Sequence, residues 1–184
     1  GQGAYLIGGI AFYLAVTLAW AVLRDRPVPA LAASHFAITP NTGGWLKYSA
    51  AANLPAGTAS AGEVMEQVLA PLLPRIKAAT GLGEPAQWRI VADNIASAFL
   101  YIGRHLGCEA RGEAMGLELV RNPVFRFFNG HTGYYHVDGQ CFLKRGCCCR
   151  YYTADAGDYC ATCILRPPAE HVDELRRRYI AAAS

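Results

Sequence analysis

From Ala4 to Leu23 the chain runs for twenty residues without a charge, AYLIGGIAFYLAVTLAWAVL. A segment of that length and apolarity has two stable fates: it spans a bilayer, or other helices of its own domain enclose it. A secretory leader fits poorly, because no basic stretch precedes the run. A lone membrane span would place Arg24 and Arg26 on the cytoplasmic side. The reading adopted here is a helix apolar on every face, buried in the middle of a helical domain, with contact to an inner-membrane surface left open. Gly8, Gly9 and several alanines suit close helix contacts.

The remaining chain supplies the helices that would do the enclosing. Its 184 residues are 53% hydrophobic and 17% charged, enough for one real core and unlike a disordered protein. A formal charge of +3, without a basic stripe, does not point to nucleic acid. Pro27 and Pro29 stop the first helix. The stretch SHFAITPNTGGWLKYSA then reads as two extended segments around a Pro-Asn-Thr-Gly-Gly turn. Ser60 and Glu63 form a capping-box pattern ahead of Val64, Met65, Val68, Leu69, Leu72, Leu73 and Ile76 at helical spacing. Pro71 and Pro74 within that run predict a kink or two successive helices.

The clearest amphipathic helix spans Glu84 to Leu106, with Trp88, Val91, Ile95, Ala98, Phe99, Ile102 and Leu106 on one stripe and Gly107 as its stop. Another covers Glu109 to Val120, before Asn122-Pro123. HTGYYHVDGQCFLKRG alternates around Asp138-Gly139, a strong hairpin signal. Pro167-Pro168 opens a last helix, Ala169 to about Ala182, with Val172, Leu175, Tyr179 and Ile180 on its apolar side. The expected fold is mainly α: a single helical domain with short β-hairpins and a C-terminal cysteine-rich loop. Residues 1–140 form the helical body, and residues 141–184 the cysteine-bearing segment packed as part of the same domain. The acids read as scattered mostly over helix surfaces. They offer no Ser–His–Asp or paired-carboxylate arrangement.

Five of the seven cysteines fall within RGCCCRYYTADAGDYCATC, residues 145–163. The isolated Cys108 and Cys141 read as small buried hydrophobes. The odd count would leave one thiol over after complete disulfide pairing. Cys160-Ala161-Thr162-Cys163 brings two thiols together, but the strand–CxxC–helix setting of a thioredoxin-like site is missing. Zinc would want a second CxxC-type pair. What stands upstream is a run of adjacent cysteines, and neighbouring side chains on extended backbone point to opposite faces. A two-iron cluster asks for two thiolates per iron and accepts less regular spacing. Spacing alone leaves an iron–sulfur cluster, zinc and disulfides open.

Cys148-Cys149, ten residues, Cys160, two residues, Cys163 resembles the C-terminal signature of the FhuF-type ferric siderophore reductases. The basic lead-in, the tyrosine after the pair and the Gly-rich bend are similar too, as are WRIVADNIASAF, ELVRNPVFRFF and the apolar N-terminal helix. The resemblance implies that Cys148, Cys149, Cys160 and Cys163 ligate a [2Fe-2S] cluster. Cys147 departs from the pattern as a bystander, an alternative ligand or a source of heterogeneity. It further implies a cytoplasmic oxidoreductase that passes one electron to a ferric siderophore and so releases Fe(II).

Gly81-Leu82-Gly83 is no dinucleotide fingerprint, so the electron would come from a separate ferredoxin, flavodoxin or flavin reductase. Five basic residues between Arg121 and Arg150 face one acid, Asp138; among them Lys144, Arg145 and Arg150 are candidates for docking the donor or the chelate. The other reading of that cluster is a solvated rim. Tyr134, Tyr135, Tyr151 and Tyr152 either cover the cluster or pack the hairpin. His131 and His136 would suit a Rieske-like centre only if the thiols did not already fill the ligand count. His35, Phe36 and Trp45 either line a chelate groove or belong to the core. Two rival functions stand beside the reductase: a helical binding module stabilised by zinc, and a chelate-binding domain like that of siderophore synthetases, which would not need four thiolates.

Overall fold

The computed structural model describes residues 2–40, 46–51, 54–153 and 158–180. Its hub is the amphipathic helix near the middle of the chain. Six α-helices are present among these residues: α1 (Gln2–Leu23), α2 (Ala61–Leu69), α3 (Leu73–Thr80), α4 (Glu84–His105), α5 (Glu109–Val120) and α6 (Pro168–Leu175). Two antiparallel pairs accompany them, β1 (Phe36–Pro40) with β2 (Leu46–Ala50) and β3 (Gly133–Val137) with β4 (Gln140–Lys144). The protein is therefore mainly helical with short hairpins, as its periodicities predict.

Helix α4 carries the core because it is buried on most sides. Val91, Ile95, Ala98 and Phe99 are essentially inaccessible, and α1 and α5 pack along it. The α4–α5 approach is close enough to exclude a side chain. A Cβ on Gly112 would lie 2.5 Å from the Phe99 carbonyl oxygen. Between the two helices the chain reverses at Gly107, whose φ of +69° an L side chain rarely adopts, and the Cys108 N–H returns to the Gly103 carbonyl at 2.7 Å.

Helix α1 departs from its expected enclosure. Ile7, Ala11, Leu14 and Leu18 are buried against α4, α2 and α3, but Tyr5, Tyr13 and Trp20 remain 40–49% exposed on the other side. The neighbours cover one face only. On the open side Tyr13 stacks on Tyr48 of β2 at 4.2 Å, and Arg24 lies 5.1 Å from the Trp20 ring centroid. α1 is also the helix long and apolar enough to cross a membrane.

Several local expectations hold. Ser60 and Glu63 exchange backbone and side-chain hydrogen bonds at the start of α2. The run through Pro71 and Pro74 divides into α2 and α3. Asp138 and Gly139 both take positive φ (50° and 79°), the geometry of a two-residue hairpin turn, and pair His136 opposite Cys141. The C-terminal helix differs. α6 stops at Leu175, and Arg176–Ile180 forms one wider π-helical turn. Across that turn Arg176, Arg177 and Arg178 reach Asp138, Glu174 and Asp158. Leu175 is buried, whereas Tyr179 is half exposed against Phe142. A boundary after residue 140 falls inside β4, and Cys147 belongs to the main core.

Candidate metal centre

The site is built on Asp93, in the middle of α4. Its side chain is fully buried and accepts hydrogen bonds from the Thr132 hydroxyl at 2.7 Å and the Gly146 N–H at 2.8 Å. The Cys147 N–H and thiol add bonds at 3.2 and 3.1 Å. Burial pushes the carboxyl of Asp93 up, while the Gly146 N–H, Thr132 and the charge of Arg145 pull it down. This carboxylate pins the chain where β4 ends. Its burial corrects the expectation of acids on helix surfaces: Asp93 lies inside because the donors that satisfy it come from a distant loop.

Cys147 is thereby turned into the core, 6% exposed. Burial and then the neighbouring Asp93 hold its thiol protonated far above the ordinary range. Cys148 and Cys149 are half-buried and sit beyond the anchor. The Arg150 N–H donates to the Cys148 sulfur at 3.4 Å and opposes the upward push of burial on that thiol. Cys149 hydrogen-bonds the thiol of Cys160, which raises Cys160 further than burial alone. Cys163 is buried, one turn on, with its N–H on the Cys160 carbonyl at 3.0 Å.

A histidine holds this second pair from behind. His171 of α6 is buried, with Nε2 3.0 Å from the Cys163 carbonyl and Nδ1 2.8 Å from the Tyr135 hydroxyl. The chain Tyr135–His171–Cys163 thus ties β3, α6 and the CxxC turn together. The basic residues separate by role. Arg145 is half-buried; burial lowers its pKa, but the charges of Cys149, Asp93, Cys160 and Cys147 outweigh that and raise it. It sits among the thiols. Lys144 and Arg150 are exposed, with Lys144 5.9 Å from the Tyr135 ring centroid.

The remaining candidates lie elsewhere. Tyr134 donates its hydroxyl to the Ala96 carbonyl at 2.8 Å and packs the hairpin. Tyr152 meets Tyr159 at 5.2 Å on the exposed side of the loop, and the Tyr151 side chain lies outside the described residues. His136 is paired with Glu113 at 2.9 Å, and His131 lines the same cleft as that pair, with Arg121 and Lys144. Phe36 lines an apolar cavity of about 600 Å³ with Leu6, Tyr13, Tyr48 and Arg75. His35 instead accepts the Ala32 N–H at its Nδ1, and Trp45 lies outside the described residues.

The donor set fits a two-iron cluster. Thiolates are soft ligands, and the half-buried Arg145 guanidinium with a backbone N–H would offset the charge they carry. Tetrahedral zinc, with Zn–S bonds of about 2.3 Å, needs all four sulfurs mutually within about 4 Å. Among the described residues only Glu113, His136 and Cys141 bring three donor atoms within 4.8 Å of one another. The loop thiols come together through Cys149, which hydrogen-bonds Cys160.

Sequence reasoning missed Asp93, Thr132 and His171. The available signal was Asp93 itself, the sole charged residue from Ile90 to Gly103. Compared with family models, curated proteins and solved structures, the chain matches none of them.

Proposed function

We propose that the chain is a cytoplasmic ferric-siderophore reductase in which Cys148, Cys149, Cys160 and Cys163 hold a [2Fe-2S] cluster. One observation carries the reading: Cys149 meets Cys160, so the adjacent pair and the CxxC pair come together beside the half-buried, positively charged Arg145. The bound cluster would supply a single electron to Fe(III), lowering its charge and loosening its oxygen ligands. Asp93 fixes where the loop leaves β4, Arg145 offsets thiolate charge, and His171 sets the CxxC turn. Electrons come from a separate ferredoxin, flavodoxin or flavin reductase. Exposed Lys144 and Arg150 suit an acidic donor or an anionic ferric chelate. The open aromatic side of α1 suits contact with the inner-membrane surface.

The test is the absorption spectrum of anaerobically purified protein, before and after dithionite, with iron and acid-labile sulfide counted. A coloured protein with two irons and two sulfides per chain that bleaches on reduction is expected. Cys160→Ser and Cys163→Ser should lose them, and the intact protein should turn over a ferric siderophore. A colourless protein holding zinc would overturn the reading in favour of a zinc-stabilised helical binding module.

A further inference from the structure

A second group of metal-ligating side chains lies outside the loop, where the β3–β4 hairpin rests on α5. His136 and Cys141 are directly opposed in the antiparallel register, so both side chains leave the same face of the hairpin. Glu113 of α5 stands across from them. One donor atom from each, imidazole nitrogen, thiol sulfur and carboxylate oxygen, lies within 4.8 Å of the other two. His136 Nε2 is 2.9 Å from Glu113 Oε2.

We propose that Glu113, His136 and Cys141 form a second metal site, for a divalent cation of the zinc class. The donor set is of the mixed nitrogen, sulfur and oxygen kind that such ions take, with three protein ligands and one position left open. Its sulfur is fully buried while His136 is exposed, so the fourth position faces solvent. Glu113 and His136 also line a cleft of about 250 Å³, which gives the ion an entry path. The Cys141 carbonyl is held by the Arg104 guanidinium, which fixes the strand behind the sulfur. Binding requires the wider donor spacings, up to 4.8 Å, to close by roughly 1 Å toward tetrahedral geometry. The thiol proton of Cys141 leaves to solvent as the metal–sulfur bond forms, and metal bonds to both partners replace the His136–Glu113 contact. Without metal, His136 and the Cys141 thiol both contact the Glu113 carboxylate, the arrangement the ion would replace.

The site makes no use of the loop cysteines, so its test is independent of what they hold. Full-length protein as purified, its bound metals counted, is titrated with Co²⁺ beside His136→Ala. The wild type is expected to take up one Co²⁺ more than the variant, or to bind it at least about tenfold more tightly, with a sulfur-to-cobalt charge-transfer band. Replacing exposed His136 should leave the melting temperature unchanged. Cys141→Ser, its fold verified by melting, should lose the band. Equal stoichiometry and equal spectra for wild type and His136→Ala would overturn the site, as would a wild type that binds no Co²⁺. Cobalt taken by the loop appears in both proteins and cancels.

Discussion

A buried carboxylate is stable only if its lone pairs are used, and Asp93 uses both oxygens on donors from Thr132, Gly146 and Cys147. Truncating it strands those donors, each at about 1–3 kcal/mol. Asp93→Ala should therefore lower stability to urea by more than about 3 kcal/mol, and the loop should fail to hold the cluster proposed for it at any temperature at which the chain is still folded. A variant that stays within about 1 kcal/mol of wild type would contradict this role. The crowding of five cysteines between residues 147 and 163 was visible in the sequence. The buried acid was not, because its donors Thr132 and Gly146 are 39 and 53 residues away in sequence. His171 was hidden for the same reason: a lone histidine on a short helix shows no sign that it bridges Tyr135 and Cys163.

Elements come together here through missing side chains as much as through present ones. At the α4–α5 contact the atoms facing Gly112 are backbone atoms of Phe99 and Gly103, which cannot swing aside. Gly112→Ala should spread the two helices and cost roughly 1–3 kcal/mol, read as a shifted midpoint in chemical denaturation; an unchanged midpoint would mean the helices can separate freely. Helix starts, the split at Pro71 and the β3–β4 turn were legible because each has local chemistry: a capping box, a proline, an Asp-Gly pair. The end of α6 was not. The alanines after Ile180 favour a continuing helix, whereas the ion pairs of Arg176, Arg177 and Arg178 act through partners that periodicity does not see. The half-covered α1 escaped for a related reason: an evenly apolar helix carries no record of which face its neighbours reach.

At the scale of the whole molecule, the C-terminal segment is tied down by charge more than by apolar burial. Glu174 pairs with Arg177 and Arg178 and lies near Arg166, while Asp158, two residues before Cys160, pairs with Arg166 and Arg178. The Arg177 hydrogen bond, with Arg178 and Arg166, holds the Glu174 carboxyl down at about 2, against an ordinary value of 4.5. A carboxylate lowered by folding adds stability that is complete above its unfolded value and disappears as pH falls through its folded one. Glu174→Gln should then melt below wild type at pH 7, and the gap should close as pH drops from about 4.5 toward 2. A gap independent of pH would show that the side chain matters only for packing. Salt should narrow it at neutral pH, since Arg177 and Asp158 are exposed.

The inward turn of Cys147 gives the triple cysteine a phase. Clasping its thiol in the pocket of Asp93 turns Cys147 into the core, while Cys148 and Cys149 stay half-buried in the loop beyond it, like a key seated by a single tooth. Native-state alkylation of metal-free chain should mark half-buried Cys148, Cys149 and Cys160 before buried Cys147. Once Cys147 reacts at the rate of the others, α4 has let go. That one thiol then serves as a clock for opening of the core, whatever the loop around it is doing.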